Sequence, residues 1–482
     1  MSTFVYRFRP VEALLERFHE LEKQEIYFAP PAELNDPYDG AIEVQWSGDE
    51  ILWRNLLNHY LLCLVHALAR ASITPDDSEL LNRGLILGSD GEIAHEAIKQ
   101  LYQRTKARFY ALADAPRLPR LLADRTQPIG RNELRMYLRV LHGHTAQMVI
   151  SVMKELGFVS AGSGANVPFP FDDAASRCCQ IIEIIGAEEK AGTERRHLGD
   201  VFGDVFESYH SQQNLAQLLD GATSFANRRG LFSVLTDFPA RYVTELETLL
   251  YSQWFTACFV EDATNAAMWG IYGNAHKGVA LKFRTHEVNG QPALVLNRIT
   301  GFAGGKDRPM HPVRGDHPHV LEQVRYPQRF ECIEFFQMMG RITGEGARFW
   351  HFDEAGTQSP RSRAEGFHTD EWRMKYWKTL KAALTTKHED WKHERERRII
   401  LYDGLVDFQS AKENRKLVYR FEDLEGIVFG GRTPAVQIVE IVRAVRAKCR
   451  KAGRKQFEFL QAEYSPPEGK MVLVPLTMLK VE

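Results

Sequence analysis

The 482-residue chain is poor in cysteine: Cys63, Cys178, Cys179, Cys258, Cys332 and Cys449 are all it has, and no two are spaced as C-x-x-C. Neither a zinc ribbon nor a disulfide framework is indicated, and neighbouring Cys178 and Cys179 are poorly placed to bridge each other, so reduced thiols are the economical reading. No eighteen consecutive apolar residues occur, which argues against a spanning helix and against a membrane role. The opening MSTFVYRFRPVEALLERF lacks a continuous apolar core and carries acids early. A signal peptide has neither property, so a cytoplasmic, bacterial-type protein is expected. An excess of one charge is also missing. The net charge of -2 argues against a generic polyanion binder and leaves room only for a local basic patch. Repeats and low-complexity tracts are absent. What remains is a globular composition, 44% hydrophobic and 26% charged, in a chain long enough for two or three domains.

Hydrophobic periodicity divides the chain. FVYRFRP alternates and ends at Pro10, as a strand does, and VEALLERFHELEKQ carries the stripe of an amphipathic helix. EIYFAPP reads as a second strand, and ELNDPYDG has the density of turn residues expected of a structured turn. From about residue 50 to 235 the pattern becomes helical, with five to seven helices separated by breaks such as ITPDDS. Strand signals return at WFTACFVED and KGVALKF, with a short helix in ATNAAMWGIYGNAH between them. The Gly/Pro/His-rich stretch at about 297–320 reads as a long loop. DEWRMKYWKTLKAALTTKHEDW reads as helix, and KLVYRF, LEGIVFGG and GKMVLVPLTML as strands. In RTPAVQIVEIVRAVRAKCRKAG, Thr433 is the expected cap, Pro434 the first helical residue and Gly453 the stop. The predicted fold is α+β: a mixed, mainly antiparallel β core split by a large helical insertion. Residues 1–48 and 236–482 form the core, and 49–235 the insertion or accessory domain.

Most candidate motifs have an ordinary reading. GFAGGKD lacks the spacing and the hydroxyl of a phosphate loop, because three residues separate Gly301 from Gly305 and Asp307 follows Lys306. His311, Asp316, His317 and His319 have no regular ligand spacing, and His142 and His144 face apart on a helix, so no metal is expected. GSGAN at 162–166 has no strand feeding it and is no nucleophile elbow. The basic run from Arg443 to Lys455 suits a helix C-terminus as well as a polyanion. Trp269, Tyr272 and His276 share a helical face, a stripe that serves a core or a ligand platform. WKHERERRIIL places Glu394 and Glu396 before an apolar triplet. As a helix it would pair Glu394 with Arg398; as a strand starting near Glu394 or Glu396, it would set Arg398 beside Glu396 on one face.

Five of these stretches together resemble a widespread bacterial domain-of-unknown-function family. They are VYRF, IYFAPPAELNDPYDG, CFVEDATNAAMWGIYGNAHKGVALKF, KHEDWKHERERRI and GIVFGGRTPAVQIVEIV. The chain departs from that pattern at Leu34, where the family has Phe, and at His393, where it has Tyr. The helical block is larger than the family's usual connection. The layout is also similar, more weakly, to ADP-ribosyltransferase-like folds. That resemblance implies an enzyme cleaving the nicotinamide–ribose bond of NAD, as transferase or hydrolase, with a toxin or phage-defence role. It implies Glu396 as the ribose-stabilising acid, Glu394 as its acceptor-side helper and Arg398 as the residue holding Glu396. Arg7 would contact phosphate, Tyr27 and Trp269 would pack on the rings, and Asn35 and Tyr272 would complete the binding site. The acceptor would be nucleic acid or protein, and the insertion could engage a protein partner. Two alternatives stand beside it: a non-catalytic nucleotide or metabolite sensor, and a purely structural HERERR network.

Overall fold

The computed structural model describes residues 4–36, 38–40, 42–73, 84–159, 173–191, 198–219, 229–305, 308–330, 332–364, 366–402 and 411–481. The fold is α+β. The chain divides into two units, one built from Met1–Ala41, Ser252–Phe330 and Lys381–Glu482, the other from Ile42–Tyr251 and Glu331–Leu380. The sequence division at 48 and 235 thus left three pieces with the core that pack among the helices. Short strands explain one of them, because Glu43–Gln45 pairs in parallel with Cys332–Glu334. Burial explains another: Tyr242, in the helix Phe238–Glu245, meets His59 through a 2.8 Å hydrogen bond.

The first unit carries the strands β1 (Phe4–Arg9), β2 (Trp254–Val260), β3 (Val279–Arg284), β4 (Glu322–Gln323), β5 (Glu396–Tyr402), β6 (Leu424–Phe429), β7 (Glu458–Ser465) and β8 (Lys470–Pro475). Their order in the main sheet is β8-β7-β6-β3-β1-β2-β5-β4. Every pairing is antiparallel except β6 with β7, which the helix Ala435–Ala452 connects as a crossover. β1 runs its full length against β3, from Phe4 opposite Arg284 to Arg9 opposite Val279. Against β2 it makes a single pair, Tyr6 with Val260. Past that point the two strands part, and Ala29 takes the place of β1 by bridging to Thr256. The sheet is therefore split between β1 and β2.

A second sheet, ordered Glu25–Tyr27, Lys416–Tyr419, Gln291–Gly305 and His286–Val288, belongs to the same unit. Val5, Phe283, Ile399 and Ile427 of the main sheet share one core with Ile26, Leu296 and Leu417 of the second and with Ile441 and Val445 of the crossover helix. Each fully buried aliphatic side chain there contributes about 1.5–3 kcal/mol relative to exposure.

Several elements differ from what their local sequence suggests. The helix expected after Pro10 breaks at His19, whose φ of 54° is left-handed, into a π-helical turn, Ala13–Arg17, and the short helix Glu20–Lys23. The loop expected at 297–320 is a hairpin, with Gln291–Gly305 paired to Arg308–Val320. Pro309, Pro312 and Pro318 suggested a loop, but Arg308–Val320 pairs on one side only, where a strand tolerates proline. Thr433 does not cap the crossover helix, because its hydroxyl donates to the Gly278 carbonyl, and the helix starts after Pro434. Gly453 does end it, at φ 65°. β7 carried no recognised signal.

The helical unit holds seven α-helices between Glu50 and Thr236 among the described residues. Its central helix, Glu50–Ile73, is long and apolar enough to cross a bilayer, a property that interspersed Arg54, Asn55, Asn58 and His59 hid from a search for unbroken runs. It is instead buried over 78% of its most apolar window. His142 is a satisfied core residue, bonded to the Tyr60 hydroxyl and the Val234 carbonyl. GSGAN, and Lys306 and Asp307 of GFAGGKD, lie outside the described residues.

Candidate functional site

The split between β1 and β2 opens a cavity of about 540 Å³. Tyr6, Arg7 and Phe8 line it from β1, Cys258 and Phe259 from β2, and Tyr27, Asn35, Asp39, Tyr272, Lys387, Glu394 and Glu396 from elsewhere in the same unit. The volume lies within the range of small-molecule sites.

The carboxylates reach it through a change of backbone form. Glu389–Glu394 is a 3₁₀ turn, Arg395 adopts φ 48° and ψ 50°, and β5 begins at Glu396. Glu394 thus lies before the strand, and a left-handed residue delivers both acids to the cavity. Ile399 and Leu401, on the opposite face of β5, enter the core. That answers why charge precedes an apolar triplet: the strand has one ionic and one apolar face.

Arg398 is fully buried and holds Glu396 bidentately, Nε to Oε1 at 2.6 Å and Nη2 to Oε2 at 3.0 Å. Its Nη2 also donates to Asp39 Oδ2 at 2.7 Å, and Nη1 to the Leu384 carbonyl at 3.3 Å. Lys387 Nζ lies 2.7 Å from Glu394 Oε2, 3.5 Å from Glu396 Oε2 and 3.6 Å from Asp39 Oδ2. The Tyr272 hydroxyl lies 2.8 Å from Glu394 Oε1 and 3.0 Å from Asn35 Oδ1. The Glu396 amide donates to the Tyr326 hydroxyl at 2.8 Å. Three buried carboxylates therefore share two cations.

That imbalance pushes the acids apart. Burial raises the Glu396 carboxyl, but Arg398, and then Lys387, more than offset it and hold it down at about 2. Glu394 is raised, chiefly by burial, with Lys387 opposing and Glu396 adding to the rise. Asp39 is raised as well, again first by burial. Two neighbouring carboxylates whose pKa values are pushed in opposite directions can divide acid–base and electrostatic work.

The other expected residues have varied fates. Arg7 lines the cavity, but its guanidinium donates to the carbonyls of Cys258 (3.2 Å) and Tyr27 (3.0 Å), replacing ladder bonds lost where the strands part. Burial lowers it to about 10, and among the described residues it forms no ion pair, so it remains a cation without a carboxylate in the cavity wall. Tyr27 lines the cavity with its hydroxyl on Glu33. Asn35 and Tyr272 stand together beside Glu394. Trp269 does not reach the cavity. It is fully buried, its indole donates to the Ala263 carbonyl at 2.7 Å, and its ring lies edge-on to Phe8 at 4.8 Å. The aromatic stripe is core at Trp269 and site at Tyr272.

Sequence reasoning assigned no role to Lys387, Asp39, Cys258 or Tyr326. Lys387 and Asp39 stood inside quoted motifs, the former opening KHEDWKHERERRI and the latter in NDPYDG, but only folding shows that both face Glu396. His311, His317 and His319 lie on the hairpin and not in the cavity, and among the described residues no group of three or more His, Cys, Asp or Glu could hold a metal. Comparisons of the chain with protein-family models, with curated proteins and with solved structures returned no match.

Proposed function

We propose that the cavity binds NAD and that Glu394 and Glu396 promote cleavage of its nicotinamide–ribose bond, in the manner of an ADP-ribosyltransferase or NAD hydrolase. The observation carrying this reading is the pairing, in one cavity, of a carboxylate clamped bidentately by Arg398 with a second held by Lys387 and Tyr272. As the C1′–N bond breaks, its electron pair leaves with nicotinamide and positive charge grows on the ribose. Glu396 supplies fixed negative charge there. Glu394 takes the proton of the attacking acceptor, nucleic acid, protein or water, while the new bond forms at C1′. Arg7, lacking a carboxylate partner, suits a phosphate of the same ligand, and Tyr27 a ring. A toxin or phage-defence role belongs to the same proposal.

The test is nicotinamide release from NAD, followed by chromatography. Wild-type protein should release it, and Glu396→Gln, assayed at a temperature where circular dichroism shows it folded, should lower the rate at least a hundredfold. Turnover by Glu396→Gln at the wild-type rate would sink the reading.

One feature favours a second reading, a non-catalytic nucleotide or metabolite sensor whose helical unit engages a partner. Lys387 and Arg398 together contact all three carboxylates, so the acids could serve to shape a binding site. Thermal stabilisation by a nucleotide without its consumption would support the sensor.

A further inference from the structure

The helical unit holds a cavity of its own, of about 350 Å³, at the small end of ligand sites. The helices Glu50–Ile73, Glu96–Tyr110 and Gly344–His351 line it, together with the segments 89–91 and 352–354. Two buried amides stand on one face of the first helix, Asn55 at 6% exposure and Asn58 at 7%. Asn55 Nδ2 donates to the carbonyls of Trp350 at 3.0 Å and Phe352 at 2.9 Å, so the polar atom left to it is an acceptor oxygen. Asn58 Oδ1 is buried and meets no donor among the described residues. A buried acceptor without a donor is costly, and an N–H group of a ligand relieves that cost.

The charged lining is acidic. Lys106 and Glu354 neutralise each other at 2.7 Å. That leaves Asp90, Glu345 and Asp353 against Arg348 alone, and none of these four forms an ion pair among the described residues. Glu345 reaches the turn that carries Asp90, since a Cβ placed on Gly91 would lie 2.7 Å from its Oε2. Among the described residues the acids do not gather as the ligands of a metal ion do, so their charge suits a longer cation. The Tyr102 ring already takes the Lys106 ammonium at 5.5 Å from its centroid, and Phe349 and Phe352 add further aromatic surface.

We propose that this cavity binds a small organic diamine. Its ammonium groups bond to the Asn55 and Asn58 oxygens and to Asp90, Glu345 and Asp353, and its methylene chain lies on Phe349 and Phe352. Carbonyl and carboxylate oxygens match N–H donors, and an excess of two acids matches two positive charges. An anion would meet the same excess as repulsion. The proposal rests on this cavity and not on cleavage of NAD.

Isothermal titration calorimetry of the full chain with putrescine tests it, at an ionic strength of about 0.15 M, where scattered surface charges are screened. Wild type should bind one putrescine per chain, and n-butylamine, with a single ammonium, at least tenfold more weakly. Asn58→Leu and Asp90→Asn, each shown to be folded by circular dichroism, should each weaken putrescine binding at least tenfold. Glu396→Gln should bind putrescine as wild type does, which separates this site from the other cavity. Absence of putrescine binding, undiminished binding by either folded variant, equal affinity for n-butylamine, or loss of binding in Glu396→Gln would each overturn the proposal.

Discussion

Arg398 sits at the centre of the ionic network, fully buried and shared by Glu396 and Asp39. Removing one member of a buried ion pair leaves the other desolvated and unpaired, at about 3–5 kcal/mol. Arg398→Met is expected to lose stability on that scale in denaturant unfolding, while Glu394→Gln, which relieves the excess of acids over cations, should keep its midpoint near wild type. Equal losses in the two variants would show that the acids are not divided as described. Trp269 makes the contrasting case. Trp269→Phe removes a buried indole and its bond to Ala263, so it should lower stability by about 1–3 kcal/mol and leave ligand affinity unchanged. These assignments differ in how far the sequence shows them. Alternation on β5 makes the Glu396–Arg398 pair visible, but no spacing rule brings in Asp39, 359 residues from Arg398.

At the scale of elements, the decisive piece is the joint between the 3₁₀ turn and β5. Arg395 occupies the left-handed region, which costs a side-chain-bearing residue roughly 1 kcal/mol or more. Arg395→Val should therefore destabilise by about 1–2 kcal/mol and disturb the placement of Glu394, whereas Arg395→Gly should fold at least as well locally. Calorimetry of the two variants checks the order, and a Val variant as stable as the Gly variant would contradict it. The hairpin shows the limit of composition: its prolines and glycines read as a loop, yet an edge position accepts both. Helix stops were more legible, since the left-handed Gly453 ends the crossover helix whatever packs on it.

For the whole molecule, the network makes stability and activity depend on pH in separable ways. Glu396 is held below its ordinary value, so its share of stability is present above about pH 4.5 and is lost as pH falls towards 2. By linkage that share approaches 3 kcal/mol. Glu394 and Asp39 are raised and act in the opposite sense, being easier to bury protonated, so they moderate the loss while they take up protons. Acid unfolding of Glu396→Gln is expected to be shallower than that of wild type below pH 4.5. If turnover is found, its acidic limb should lie above the ordinary carboxylate range, because Glu394 must be ionised to act as a base. An acidic limb at or below that range would remove Glu394 from the role. The sequence by itself determined the α+β class, most strands and the ionic face of β5, because alternation, helical periodicity and turn residues act over a few neighbouring positions. Only the tertiary structure decided that β1 and β2 part, that Lys387 and Asp39 join Glu394 and Glu396 at the opening, and that Trp269 stays in the core. The parting of β1 and β2, the arrival of Asp39 and the burial of Trp269 against Phe8 depend on segments hundreds of residues apart, and Lys387, seven residues from Glu394, reaches it only through the 3₁₀ turn between them, so no local pattern encodes the site.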